Sequence, residues 1–120
     1  MSTLLSSKPY LAQAKETLTS PSASVLMSAA AIDGMLKDKG FKDGTLHARI
    51  NAAAQAGVIT QAMADLAHDI RFYANNERHA DEDAPTATDE DARRCFDFAD
   101  AIAEMLYVPP ARLKKTQLEA

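Results

Sequence analysis

The chain has 120 residues, 47% of them apolar, with no Trp, only four Gly and a formal net charge of −4. That length suits one domain with one core, and the acidic balance argues against a general nucleic-acid binder held by phosphate contacts, while leaving room for a small local basic site. The single cysteine, Cys95, excludes an internal disulfide framework, and no apolar run approaches the ~20 residues of a membrane span.

The predicted elements follow from apolar spacing and from the residues that start and stop helices. Residues 1–8 read as a flexible N-terminus that lacks the basic segment and apolar run of a secretory signal. Pro9 opens a first helix, because its missing N–H is not needed there, and Tyr10, Leu11, Ala14 and Leu18 follow at helical spacing. Ser20-Pro21 supplies an N-cap and a first-position proline for a second, longer helix. Val25, Ala29, Ile32 and Leu36 form its apolar stripe, widened by Met35, and Gly40 marks a left-handed terminus. Its many small side chains predict that neighbours approach closely.

Thr45 caps a third helix with Leu46, Ile50, Ala53 and Ala54 inward, closed by Gly57. Thr60 caps a fourth, from Gln61 to His79, with Met63, Leu66, Ile70 and Tyr73 towards the core. Residues 80–87 read as an acidic loop. Thr88, with Asp91 three residues on, makes a capping-box variant for a fifth helix whose first turn also carries Asp89 and Glu90. Ala92, Cys95, Ala99, Ile102 and Leu106 give its inward face, and Pro109-Pro110 predicts its end. Residues 111–120 would then be a polar, partly basic C-terminal tail. With no strand pattern anywhere, the expectation is an all-α bundle of four to five helices over residues 9–110.

Chemistry has few places to reside. His47, His68 and His79 show no His-Glu-x-x-His pattern and no cysteine pair joins them, so their spacing predicts no compact metal site and no cofactor is expected. The scattered glycines form no phosphate-cradling loop, and no Gly-x-Ser-x-Gly elbow occurs. Asp81-Glu82-Asp83 lacks the alternating ligands and central glycine of a calcium loop and reads as solvated chain. Cys95, on an apolar helical face, reads as a packing residue.

There remains a polar stripe of Arg71, Asn75 and His79, each four residues apart, with Arg78 beside it. Imidazole titrates near neutral pH and can take a proton from one oxygen and return it to another. Guanidinium keeps its charge and offers a planar fork to phosphate. Together they suffice for metal-free RNA cleavage: His79 would transfer the proton, Arg71 would clamp the phosphate, Asn75 would orient or donate, and Arg78 would contact substrate. The same stripe also fits a polar helix face that caps, pairs with Asp or lines a dimer contact. Arg71 and His79 are separated by a rise of about 12 Å, so a site using both needs a long arginine reach, a bent helix end or a second copy of the helix.

Arg71, Ala74-Asn75 and His79 resemble the Arg, Gly-Asn and His of the restriction-associated branch of the HEPN superfamily (higher eukaryotes and prokaryotes nucleotide-binding), the domain-of-unknown-function 4145-like branch, with Ala in place of the Gly. The resemblance extends over residues 20–110: residues 23–33 are similar to a small-residue apolar helix ending in an acidic residue, here Asp33, residues 46–60 to its next helix and turn, and residues 88–107 to its closing helix. It implies a HEPN-like bundle of four to five helices and a two-fold homodimer in which the Arg and His helices of both subunits meet at one cleft. Such domains are often fused to, or encoded beside, restriction and other phage-defence proteins. Active members cut RNA without metal, whereas others are non-catalytic interaction modules. Seven residues separate Arg71 from His79, more than in nuclease members, and the acidic run after His79 opposes an RNA backbone most strongly at low salt. Two readings stay open: a metal-independent endoribonuclease of the toxin–antitoxin or defence kind, or a non-catalytic module docking on an antitoxin or a larger defence subunit. Either is expected to be cytoplasmic and off the membrane.

Overall fold

The computed structural model describes residues 9–79 and 86–119, excepting the side chains at 79, 110, 111 and 114–119. Within them the helices form in the expected order: α1 (Pro9–Glu16), α2 (Pro21–Asp38), α3 (Leu46–Gln55), α4 (Gln61–His79) and α5 (Asp89–Glu119). The described residues contain no strand. The segments 1–8 and 80–85, which include the acidic run Asp81-Glu82-Asp83, lie outside the description.

Local chemistry sets the helix ends. Thr45 Oγ1 accepts the Ala48 N–H at 3.2 Å, and Thr60 Oγ1 accepts that of Met63 at 3.1 Å. The Thr88–Asp91 box is reciprocal: the Thr88 N–H donates to Asp91 Oδ2 at 2.9 Å while the Asp91 N–H donates to Thr88 Oγ1 at 3.1 Å. The Thr88 N–H, with Arg94 beyond it, holds the Asp91 carboxyl below the usual carboxylate range. Ser20 occupies the N-cap of α2 before Pro21, but its side chain makes no capping bond. Helices α2 and α3 end alike. Gly40 (φ 100°) and Gly57 (φ 75°) adopt the left-handed conformation, and paired backbone bonds close each terminus, Gly40 to Lys37 and Phe41 to Leu36 in one, Gly57 to Ala54 and Val58 to Ala53 in the other. Phe41 and Val58 are thereby turned back onto the core.

Helix α2 is central and packs against each of the other four. Its buried side chains are Ser24, Val25, Ser28, Ala29, Ala31, Ile32, Met35 and Leu36. Half of them are no larger than serine, which lets several helices come close at once. The Ser24 hydroxyl donates to the Ala14 carbonyl at 2.6 Å and ties α1 to α2. Helix α5 brings Ala92, Cys95, Phe96, Ala99, Ile102, Ala103 and Leu106 into the core. Burial pushes the Cys95 thiol up to about 11, consistent with a packing role. At the edges, Arg49 Nη1 meets Asp33 Oδ1 at 2.7 Å while Lys37 Nζ lies 3.0 Å from Asp33 Oδ2. The Tyr107 hydroxyl donates to Asp38 Oδ2 at 2.6 Å and joins α5 to the end of α2.

Two expectations are corrected. Leu66 and Tyr73 do not face the core: they are 50% and 37% exposed, and the buried face of α4 is Ala64, Ala67, Ile70 and Ala74. Both stripes are apolar, but only the alanine stripe lets α4 lie close against α2, so the larger side chains turn to the flank facing α5, which α4 touches sparingly. Nor does α5 stop before Pro109-Pro110, since it continues to Glu119, through the segment expected to be a tail. Proline's fixed φ is a helical value, and what the pair removes is two N–H donors. The pair falls beyond Leu106, the last described buried residue of α5, where the helix runs on past the core. This overhang accounts for a long axis of 58 Å against 30 and 21 Å across. No described helix is long and apolar enough to cross a membrane.

The core assignment predicts unequal costs. Ile32→Ala should lower the unfolding free energy in urea by about 3 kcal/mol, whereas Leu66→Ala should cost less than about 1 kcal/mol. Equal losses would contradict the placement of α4.

Candidate functional site

The second half of α4 faces the first turn of α3 across a groove of about 350 Å³ lined by Ala29, Thr45, Leu46, His47, Arg71, Ala74, Asn75 and Arg78. A neighbouring hollow of about 400 Å³ shares Ala29, Leu46 and Arg78 with it and continues past Asp33, Lys37 and Arg49. The floor is alanine, again because α2 presents small side chains; the walls are polar. Thr45, capping α3, opens the positive end of that helix onto the same space.

Three of the four residues singled out in the sequence come together here: Arg71, Asn75 and Arg78. Helical geometry explains why Arg78 belongs. Seven residues turn the helix by about 700°, only ~20° short of two turns, so Arg78 lies nearly above Arg71, whereas the eighth position is offset by ~80°. His79 is the last residue of α4, and its side chain lies outside the described residues. Asn75 and Arg78 are exposed, and Arg71 is half-buried.

Charge is distributed unevenly along the groove. Arg49 is neutralised by Asp33, which also holds Lys37. Among the described residues neither Arg71 nor Arg78 lies within ion-pair distance of a carboxylate. The Nε of Arg71 is enclosed without a hydrogen-bond partner. The groove thus carries two guanidinium groups, an amide and an imidazole in a chain of net charge −4. That set suits an anion with several oxygens, such as a phosphate diester.

The spacing of His47 and His68 predicted no compact metal site; in the structure their rings nonetheless pack against each other. Their ring centroids are 4.7 Å apart with planes inclined at 39°. His68 Nε2 lies 2.9 Å from Asn51 Oδ1. An amide oxygen only accepts, so this contact assigns the proton to Nε2 and leaves Nδ1, enclosed and without a partner, as the bare nitrogen. Burial, then the proximity of His47 and Arg71, pushes the His68 imidazole below its ordinary value, with Asp65 and Asp69 pulling weakly the other way. A signal for this pair did exist. The short Gly57–Thr60 connection folds α4 back along α3, and positions 47 and 68 lie equally far from its start, between residues 57 and 58.

Elsewhere, Leu66, Ile70, Tyr73, Cys95 and Phe98 line a mainly apolar groove of about 420 Å³ between α4 and α5, bordered by Asp69, Asp91, Arg94 and Asp97. Among the described residues, no group of three His, Cys, Asp or Glu side chains is placed to hold a metal ion.

Comparison with known proteins gives one relationship. The family described as "Domain of unknown function (DUF4145)" matches residues 13–119, spanning all of the groove-lining positions. No curated protein and no solved structure matches the chain.

The half-buried imidazole of His68 has a consequence for stability. A histidine whose folded pKa lies below its ordinary 6.5 is protonated first in the unfolded chain, so its contribution is present above that value and lost as pH falls through it. Urea midpoints should therefore fall between about pH 7.5 and about pH 5.5, and His68→Gln should flatten that decline. An unchanged pH profile in the variant would show that His68 is not the group responsible.

Proposed function

The chain belongs to the DUF4145 family, and from that premise we propose that it is a HEPN-like helical domain acting as a metal-independent endoribonuclease. The observation that carries this reading is the convergence of Arg71, Asn75 and Arg78 on one groove, with no carboxylate paired to either arginine among the described residues. In the proposed site Arg71 clamps a backbone phosphate and stabilises the charge that develops on it during cleavage. Arg78 holds the strand about two turns further on, Asn75 donates to a phosphate oxygen, and His79, at the end of the same helix, transfers the proton. Two guanidinium groups supply the positive charge that a bound cation would otherwise provide.

A two-fold homodimer would let the His79 of one subunit approach the Arg71 of the other across the about 12 Å that separates them along one helix. The ordered resemblance to defence-associated domains supports a role in RNA-based phage defence or a toxin–antitoxin pair. A single buried thiol suits a reducing compartment such as the cytoplasm.

A second reading draws on a different face. Leu66, Phe72 and Tyr73 are 50%, 59% and 37% exposed on the flank of α4. Apolar surface of this kind favours a non-catalytic module that docks on an antitoxin or a larger defence subunit.

The two readings separate in one assay. Single-stranded RNA incubated with the protein in EDTA should be cut by the wild type; His79→Ala should lower the rate by about 10²–10⁴-fold, and Arg71→Ala should weaken binding and reduce its salt dependence. RNA left intact by the wild type across about pH 6–8 would reject the nuclease reading and favour the docking one.

A further inference from the structure

The groove holds an imidazole for which the Arg71–His79 chemistry has no role. His47 is exposed, lies on the first turn of α3 and lines the same space as Arg71, Asn75 and Arg78 within a single chain. We infer that His47 is a second catalytic residue of this site, the base that takes the proton from the ribose 2′-hydroxyl of a bound RNA strand. The inference rests on the ribonuclease reading and changes its chemistry from one imidazole to two.

The argument is geometric. His79 is separated from Arg71 by more than two turns of α4, whereas His47 reaches the groove from the opposite wall, across the cavity from both arginines. A strand with its reacting diester on Arg71 and its neighbouring backbone on Arg78 would therefore present the flanking sugar to α3. The His47 ring is also held in place. It packs on His68 at 4.7 Å, and His68 is in turn anchored by Asn51 one turn further along α3. His68 is thus a positioning residue, whose enclosed, unpartnered Nδ1 makes it a poor site for a proton. The charged groups around the pair are Arg71, Arg78, Asp65 and Asp69 on α4, while on α2 Asp33 is already occupied by Arg49 and Lys37.

In the step so defined, the 2′-hydroxyl proton passes to a ring nitrogen of neutral His47, and the O2′ electron pair forms the O2′–P bond. The P–O5′ bond breaks, and O5′ takes a proton from His79 in its imidazolium form. The products are a 2′,3′-cyclic phosphate and a free 5′-hydroxyl. His47 is left protonated and His79 neutral, and exchange with water resets both. Arg71 and Arg78 remain charged throughout; Arg71 neutralises the phosphorane-like transition state while Arg78 holds the strand.

The test is the pH dependence of cleavage of a fluorescent single-stranded RNA in EDTA, with affinity measured separately on the same sequence carrying 2′-O-methyl groups. The wild type should give a bell-shaped profile. His47→Ala should lower kcat by about 10²–10⁴-fold and remove the acidic limb, His79→Ala should remove the alkaline limb, and affinity for the 2′-O-methyl strand should stay within about threefold. His47→Gln keeps a polar side chain of similar size and decides the matter if His47→Ala lowers the urea midpoint. His47 variants with wild-type kcat and both limbs, beside an inactive His79→Ala, would overturn the inference and leave the nuclease reading standing. A wild type that leaves RNA uncut would bring down both.

Discussion

The constraint on which this structure depends is the closeness of α2 to four neighbours at once. A helix can be approached on all sides only if its side chains are short, and the buried positions of α2 alternate Ser24, Ser28, Ala29 and Ala31 with the larger Val25, Ile32, Met35 and Leu36. The partner helices answer in kind. Helix α4 offers Ala64, Ala67 and Ala74 around Ile70, and α5 offers Ala92, Ala99 and Ala103 around Phe96 and Ile102. Large and small side chains interdigitate, and the gain is dense packing with few aromatic residues. One consequence is functional. Because Ala29 and Ala74 are all that α2 and α4 place at the base of the groove, the polar side chains above them have room to converge.

That packing also decides where charge resides. Asp33, near the middle of α2, is shared by Arg49 and Lys37, so the cations closest to the hub are neutralised where they stand. Arg71 and Arg78 lie further along α4 and have no such partner among the described residues. An acidic chain can in this way keep a positive site, since the field of a groove is set by its nearest charges and distant surface carboxylates are screened over about 10 Å of ordinary salt solution. Net charge alone argued against a nucleic-acid partner in general; the local arrangement is what permits one in particular.

How far the sequence revealed this depends on the range of the interaction concerned. Caps are local, and Thr45, Thr60, Gly40, Gly57 and the Thr88–Asp91 pair all behave as their immediate neighbours dictate. The orientation of α4 is not local. Periodicity finds an apolar stripe there, but choosing between Leu66 with Tyr73 and Ala64 with Ala67 requires knowing that α2 presents a small-residue face. Pro109-Pro110 misled for a related reason: a helix-stopping rule written for bundle interiors was applied where the helix had already left its bundle. In the site, Arg71 and Asn75 were visible from spacing because they share one helix stripe, whereas Arg78, noted only beside it, joins them through its seven-residue offset from Arg71. The His47–His68 stack, which joins two helices, could be seen only by counting outward from the turn between them.

The groove and the α4 flank lie on different sides of one helix, and this bears on how the two readings relate. Arg71 and Arg78 point into the groove with α3, while Leu66, Tyr73 and Phe98 line the hollow towards α5. A partner seated on the apolar flank would leave the polar groove open to solvent. Docking and phosphate binding, as proposed, would therefore use different surfaces of helix α4. If His47 supplies the base from within the chain, as inferred above, then pairing of subunits is needed only to bring His79 to the leaving oxygen. Holding the strand and activating its 2′-hydroxyl become properties of one folded chain, traceable to an alanine floor that lets α3 and α4 stand close enough to share a phosphate.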